Sequence, residues 1–151
     1  MEWIESLSGQ LIGLDTAPLI YFVEEHPRYL ATVRPFFQAI ENNEFRVVTS
    51  TITLTEVLIH PLRQRDAELA RQYREILLNS PGIFCVPLSA EVAEKAAQLR
   101  SEHNLRTPDA IHLATAYIHS AAHFLTNDST LPNVPEVQLI VLDNLGTSSD
   151  K

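Results

Sequence analysis

The sequence predicts an α/β domain, a three-layer sandwich in which helices cover both faces of a central parallel sheet. Short, nearly continuous apolar segments alternate with longer segments of helical periodicity along most of the 151 residues. Strands of this apolar character are typical of parallel sheets, which bury both of their faces under helices. The length suits one domain, which we place at residues 1–145, followed by a loose tail at 146–151.

Five segments have the character of buried strands. They are residues 11–15, 45–50, 83–88, 123–126 and 137–143, with the sequences LIGLD, FRVVTS, IFCVPL, HFLT and VQLIVLD. β-Branched and aromatic residues are frequent in them, as they are in the strands of folded proteins. Their number predicts a five-stranded sheet.

Helical patterns fill the segments between these strands. They cover residues 17–26, 28–43, 53–64, 67–79, 90–104 and 110–121. Pro35 lies inside the second pattern, where a proline bends or breaks a helix. Ser89 is the expected N-cap of the fifth helix. Thr107, followed by Pro108, is the expected N-cap of the sixth.

The composition limits the classes of function. With a single cysteine, Cys85, the chain has no internal disulfide. It contains no apolar run of the roughly 20 residues that a membrane span requires, and no basic-then-apolar signal pattern at its start. We therefore expect a cytoplasmic protein with no membrane partner. The net charge of −8 disfavours a protein that coats nucleic acid, although acids gathered around a metal would also raise the negative count.

Four acidic residues are expected at one edge of the predicted sheet. Asp15 ends the first strand, and Glu56 lies early in the helix after the second. Asp109 opens the helix before the fourth strand, and Asp128 follows that strand. In a parallel α/β sheet, function is found beyond the carboxyl ends of the strands, where all four acids should lie.

Each acid also has a purely local explanation. Asp15 has the position of an N-cap, and Glu56 has the spacing of a capping-box partner for Thr53. Asp109 is favoured by the helix dipole, and Asp128 lies in the turn-like sequence TNDST. These explanations do not account for the four acids together. Carboxylates about 5 Å apart repel by about 3 kcal/mol per pair at an effective dielectric of 20. A hard cation such as Mg²⁺ or Mn²⁺, which prefers oxygen ligands, would remove that repulsion.

Four sequence segments, in order, resemble a known family. They are LIGLDTAPLIYFVE, TLTEVL, TPDAIHLATA and FLTNDSTL, within a match from about Leu11 to Leu142. Together they resemble the PIN-domain ribonucleases, in particular the VapC-like toxins of prokaryotic toxin–antitoxin pairs. The resemblance implies a five-stranded parallel sheet between helices and metal-dependent endonucleolytic cleavage of single-stranded or loop RNA. It also implies a homodimer and a small antitoxin protein that covers the active groove.

The same resemblance assigns roles to individual residues. Asp15, Glu56, Asp109 and Asp128 correspond to the family's acidic metal-binding quartet. Thr126 corresponds to the hydroxyl residue that orients an aspartate or a metal-bound water. Bound Mg²⁺ or Mn²⁺ would lower the pKa of a water and place it in line with the scissile phosphate. We expect Asp15 and Asp109 to contact the metal directly, and Glu56 and Asp128 to act partly through water.

Several residues near the expected site have less defined roles. His112 and Asn127 stand where many family members have charged residues, and we expect His112 to pack beside the site. Arg63 and Arg65 are the basic residues considered for contact with RNA phosphates, although a solvated helix face explains their cluster at least as well. Tyr21 suits either the core of its helix or the wall of an RNA groove.

Other functions remain as alternatives. The main one is a catalytically degenerate PIN module that binds protein or RNA without cleaving it. DNA is also an open substrate, because no residue identifies a 2′-hydroxyl. A phosphoryl-transfer enzyme or receiver domain is disfavoured, since Ala17 stands where a D-x-D motif needs its second aspartate and the only lysines are Lys95 and Lys151. The absence of a G-x-x-x-x-G-K sequence excludes a P-loop hydrolase.

Overall fold

A five-stranded parallel sheet forms the centre of the molecule. The computed structural model describes the backbone of residues 1–149 and the side chains of residues 1–145. The strands are β1 (Leu11–Leu14), β2 (Arg46–Ser50), β3 (Ile83–Val86), β4 (His123–Thr126) and β5 (Gln138–Val141). All pair in parallel, in the order β3-β2-β1-β4-β5. The predicted α/β class and its five-stranded parallel sheet are confirmed.

Helices cover both faces of this sheet. They are α1 (Glu2–Glu5), α2 (Thr16–Val23), α3 (Leu30–Glu41), α4 (Thr51–Arg63), α5 (Ala67–Asn79), α6 (Ala90–Glu102), α7 (Thr107–Ile118) and α8 (Leu142–Ser149). One face packs against α6 and α7, and the larger core on the other face is formed with the remaining helices. Within the described residues, no helix has the length and apolar character needed to cross a membrane.

The order of the strands marks a switch point between β1 and β4. From β1 the chain proceeds to β2 and β3 on one side, and it then returns to β4 and β5 on the other. The direction of winding therefore reverses between β1 and β4. In open α/β sheets such a reversal separates the loops that follow the two strands and opens a ligand-binding crevice. Because α7 leads into β4, its first turn also lies at this edge.

Most predicted helices agree with the structure to within a few residues. Helix α5 covers the predicted residues 67–79, and the hydroxyl of Ser89 caps α6 by accepting a hydrogen bond from the N–H of Val92 at 3.1 Å. Pro35 lies inside α3, which continues to Glu41 without a break. Its missing N–H removes one hydrogen bond, but Val33, Phe36 and Phe37 bury the inner face of the same helix.

The two ends of the chain differ from the sequence prediction. Helices α1 and α8 were not predicted. The first part of the predicted tail, residues 146–149, has its backbone in α8, while residues 150 and 151 lie outside the described part of the chain. The division into a domain at 1–145 and a tail at 146–151 stays a prediction.

The predicted N-cap of α7 is wrong by one residue. Arg106, not Thr107, is the extended N-cap, and its carbonyl accepts a hydrogen bond from the N–H of Ala110 at 3.0 Å. Thr107 is the first helical residue, and its hydroxyl accepts a hydrogen bond from Arg100 at 2.9 Å. This start places the side chain of Arg106 beside Asp109, one turn further along.

Gly13, in the middle of β1, allows α7 to pack directly on the sheet. A Cβ atom at this position would lie 2.6 Å from Cβ of Ala116 and 2.9 Å from Cδ1 of Phe124. Its neighbours Ile12 and Leu14 point to the opposite face and join the larger core. The close approach at Gly13 therefore sets how near α7, and with it the site at its first turn, lies to β1.

Gly13→Ala is expected to destabilise the fold by about 1–3 kcal/mol, because the added methyl group overpacks a dense interface. Urea unfolding followed by circular dichroism measures the change. Combined with Ala116→Gly, the substitution is expected to cost less than the sum of the two single changes, since the nearest clashing atom is gone. Strictly additive costs would show that this contact is not the cause.

Candidate active site

Asp15 occupies the end of β1 and is also the N-cap of α2. Its Oδ1 accepts a hydrogen bond from the N–H of Thr16 at 2.8 Å, and its Oδ2 accepts one from the hydroxyl of Thr126 at 2.7 Å. Burial nevertheless raises the pKa of Asp15, although His112 and the hydrogen bonds act to lower it, and the charge of Asp109 raises it further. The carboxylate is held firmly in place, and burial makes its ionised form less favourable than that of an exposed aspartate.

Glu56, in the second turn of α4, is bound by two side chains from other elements. Its Oε1 accepts hydrogen bonds from the hydroxyl of Thr16 at 2.7 Å and from Nε2 of His112 at 2.8 Å. The bond from His112 is the main reason that the pKa of Glu56 is lowered. The N-cap of α4 is Ser50, whose hydroxyl accepts from the N–H of Ile52. Glu56 is therefore not the partner in a capping box.

Asp109, in the first turn of α7, forms an ion pair with Arg106. The Nε atom of Arg106 donates to Oδ2 of Asp109 at 3.2 Å, and the side chains are 78% and 18% exposed, respectively. This hydrogen bond is the first cause of the raised pKa of Arg106, and the charges of Glu56 and Asp128 act in the same direction. One exposed guanidinium group thus lies within the electrostatic reach of three of the four acids.

Asp128 begins the turn after β4 and is linked to Asp15 through Thr126. The hydroxyl of Thr126 donates to Asp15 and accepts a hydrogen bond from the N–H of Asp128 at 3.0 Å. Oδ1 of Asp128 accepts from the N–H of Thr130 at 2.9 Å and also from its hydroxyl. Asp128 is therefore a turn residue, as its local sequence indicated, and it also lies at the site edge.

The structure brings the sequence-predicted acids to one edge of the sheet. Asp15 and Glu56 share Thr16 as a neighbour, Asp15 and Asp128 share Thr126, and Arg106 faces Asp109. In Glu56, Asp109 and Asp128, the hydrogen bonds from described residues go to a single carboxylate oxygen. The other oxygen of each accepts no hydrogen bond from a described side chain or backbone group.

The chemistry of these donors fits a hard divalent cation. Within the described residues, no three His, Cys, Asp or Glu side chains are arranged as a complete metal-binding set. Mg²⁺ commonly retains several waters and is held by one or two carboxylates together with substrate phosphates. An oxygen-donor set of this kind favours Mg²⁺ or Mn²⁺ over softer ions. Asp15 and Asp109, whose charges interact, are the pair that we expect to hold the ion.

His112 packs beside the site, as the sequence indicated. It is 3% exposed and contacts Glu56, Thr16 at 3.2 Å and Thr53 at 3.5 Å. Its three contacts join α2, α4 and α7 behind the carboxylates. A histidine one turn after a site acid was the available sequence signal, but its partners are 56, 59 and 96 residues away along the chain.

Two residues that contact the site acids were not predicted from the sequence. Thr16 and Arg106 were not singled out, although Thr16 is adjacent to Asp15 and Arg106 is three residues before Asp109.

In the described residues, no hydrogen bond or ion pair joins Arg63 or Arg65 to the acids. Helical rise places Arg63 about 10 Å along α4 from Glu56. Their contact with RNA stays a prediction.

The fold and the site together define a class of protein. It is a parallel α/β domain with acids gathered at the sheet edge where the winding of the chain reverses. The family model described as the PIN domain matches residues 12–137. The chain belongs to the PIN-domain family. A comparison with curated protein sequences gives no significant match.

Solved structures of VapC-like proteins have a similar fold. VapBC2 from Rickettsia felis, bound to a DNA fragment from its promoter, matches with a TM-score of 0.69 and 18% identity over 87% of this chain and 98% of that one. A toxin–antitoxin complex from Klebsiella pneumoniae matches at 0.62 with 26% identity over 85% and 95% of the two chains. The sarcin–ricin loop cleaving toxin VapC20 from Mycobacterium tuberculosis matches at 0.62 with 16% identity over 76% and 86%.

In the metal-free chain, ionisation of Asp15 is expected to lower the free energy of unfolding. Because burial raises its pKa, the folded chain binds more protons than the unfolded chain, and stability falls as the pH rises through the folded pKa. Asp15→Asn lacks this titration. We compare the two chains by urea unfolding in EDTA between about pH 3.5 and 7. As the pH rises, the free energy of unfolding of D15N should increase relative to that of the wild-type chain. A pH-independent difference would contradict the burial of this charge.

Proposed function

We propose that this chain is a divalent-metal-dependent endoribonuclease that cleaves single-stranded or loop RNA. We further propose that it acts in the cytoplasm as the toxin of a toxin–antitoxin pair. The observation that carries the proposal is the gathering of four acids, from four separate segments, at one edge of the sheet. Membership of the PIN-domain family supports nuclease chemistry, because members of this family are generally nucleases.

The acids have distinct roles in this proposal. Asp15 and Asp109 would hold Mg²⁺ or Mn²⁺, and the bound ion would supply water activation and charge neutralisation at the phosphate. Glu56 stays ionised because the hydrogen bond from His112 lowers its pKa. A carboxylate with a lowered pKa is a weak base, so Glu56 orients the attacking water more effectively than it removes a proton from it.

The remaining groups position these acids. Thr126 holds Asp15 through its hydroxyl and fixes the backbone of Asp128 with the same oxygen. His112, buried behind the site, fixes Glu56. Arg106 neutralises Asp109 in the structure as described, and its high exposure allows it to turn towards an incoming phosphate. None of these roles requires a nucleophilic side chain.

The proposed partners are a small antitoxin and a second copy of this chain. The structural relatives from Rickettsia felis and Klebsiella pneumoniae were determined as VapBC2 and as a toxin–antitoxin complex, which supports an antitoxin for this chain. The VapC20 relative is a sarcin–ricin loop cleaving toxin, which supports a loop substrate. The homodimer rests on the family resemblance alone.

Asp15→Asn and Asp109→Asn are each expected to reduce Mg²⁺-dependent RNA cleavage by at least about 100-fold, because each removes a charged metal ligand. Cleavage of an end-labelled RNA that contains a hairpin loop and an unpaired strand, resolved on a gel, measures the effect. DNA of the same sequence is assayed in parallel. Glu94→Gln, on the exposed surface of α6, is the matched control and should keep full activity.

The same assay separates the competing functions. A folded wild-type chain that binds RNA but does not cleave it with either Mg²⁺ or Mn²⁺ would support the degenerate module. Cleavage that survives both aspartate substitutions would place the chemistry elsewhere. Equal cleavage of RNA and DNA would contradict the proposed ribonuclease specificity while leaving a metal-dependent nuclease.

Metal binding is expected to stabilise the chain independently of any cleavage. At a Mn²⁺ concentration about 100 times the dissociation constant, the gain is about 2.7 kcal/mol, or roughly 5–10 °C in the unfolding midpoint for a chain of this size. Thermal unfolding followed by circular dichroism should show this shift in the wild-type chain and in E94Q. D15N and D109N should lose most of it. An unchanged midpoint in the wild-type chain would contradict metal binding at the acids.

A further inference from the structure

A small aromatic stack lies where α2 ends and α3 begins. The rings of Tyr21 and Tyr29 are stacked, with centroids 4.4 Å apart and planes 15° apart. His26 contacts both rings, at centroid distances of 4.9 and 5.0 Å. The guanidinium carbon of Arg28 lies 5.2 Å from the centroid of Tyr29, and its side chain is 74% exposed. The aromatic stack therefore carries a largely exposed guanidinium group over the ring of Tyr29.

This stack is tied to the turn that carries Asp128. The side-chain amide of Asn127, the residue before Asp128, donates to the hydroxyl of Tyr21 at 3.3 Å. Its carbonyl oxygen accepts the N–H of Asp143 at 3.0 Å, and the carboxylate of Asp143 accepts the hydroxyl of Tyr29 at 2.7 Å. Consecutive Cα atoms are about 3.8 Å apart, so the stack is anchored one residue from the acidic site.

Fold stability does not explain the position of Arg28. Its contact with Asp143 is 3.5 Å long between side chains that are 74% and 47% exposed. Exposed ion pairs of this kind contribute little to stability, because solvent screens them. A planar guanidinium supported by an aromatic ring is, by contrast, a surface on which an unpaired base stacks. It also places a positive charge next to Asp143, whose N–H is bound by Asn127, the residue before Asp128.

We propose that Arg28, supported by Tyr29 and Tyr21, binds an unpaired base of the substrate and so positions a neighbouring phosphate at the acids. This inference rests on the function proposed above and adds a physical reason for its strand preference. A base within a duplex has both faces covered by its neighbours, whereas an unpaired base can leave the strand and stack on Arg28. The subsite therefore selects single-stranded or loop RNA.

The test measures binding without cleavage, in the Asp109→Asn background. Fluorescence anisotropy is measured with labelled oligouridylates that carry one adenosine, or one abasic residue, at successive positions. Removing the base at one position is expected to weaken binding about fivefold or more, the range of a single stacking contact. With Arg28→Ala added, that difference should disappear. Arg28→Lys, which keeps the charge but lacks the plane, should lose the difference while retaining more of the overall affinity.

Arg46→Ala is the matched control. Arg46 lies at the amino end of β2, with its guanidinium carbon 5.9 Å from the ring centroid of Phe84, so this change removes the same charge from a similar pair at the opposite edge of the sheet. It should leave the difference between adenosine and the abasic residue intact. Tyr29→Phe keeps the ring and should also preserve that difference.

The outcomes separate this inference from the nuclease proposal. If R28A and R46A behave alike, or if no position distinguishes adenosine from the abasic residue, the subsite is overturned and the stack is better suited to a protein partner. Such a result leaves metal-dependent cleavage by the wild-type chain untouched. Conversely, base-dependent binding that requires Arg28 supports the subsite even in a chain that proves unable to cleave RNA.

Discussion

The placement of four carboxyl groups at one edge of the sheet, with Asp15 among them buried, is the constraint around which this molecule is organised. Two of the four acids are held by donors from distant elements, so that no single helix or strand could maintain the arrangement. Thr126 from β4 holds Asp15, and His112 from α7 holds Glu56. Even so, burial keeps the pKa of Asp15 raised. The fold supplies enough hydrogen bonding to orient the acids, but it does not offset the cost of burying the charge of Asp15.

Helix α7 connects this site to the core. Its small residues pack against the middle of β1, where Gly13 leaves room for Ala116. Its first turn carries Asp109, and one turn later His112 reaches the site from behind. Helix α7 therefore determines both the packing on β1 and the positions of Asp109 and His112. A change in the depth of α7 would move an acid and the residue that positions Glu56 together, which is why the glycine in β1 matters to the site.

Much of the fold and part of the site could be predicted from the sequence. The five strands are marked by short apolar runs, and the acids follow from the rule that parallel strands end at one edge. Helix α1 has only four residues, too few to show a period, and α8 includes glycine and serines that weaken its pattern. The contacts of His112 and Thr16 join residues that are 40 to 96 positions apart. Such pairings depend on the completed tertiary structure, which local patterns do not contain.

The net charge of −8 misdescribes the surface that would face RNA. Several of the negative charges lie at the site itself, where a cation is expected to neutralise them, while the exposed Arg106 and Arg28 form ion pairs with Asp109 and Asp143, respectively. Asn127 occupies a turn position where the resembling family often has an arginine. Here its amide instead joins α2 and the start of α8 to the turn. In this chain Arg28 is linked to the turn through its ion pair with Asp143, whose N–H donates to the same amide. If the proposed function is correct, the position and planarity of charge, rather than total charge, would decide which strand the site admits.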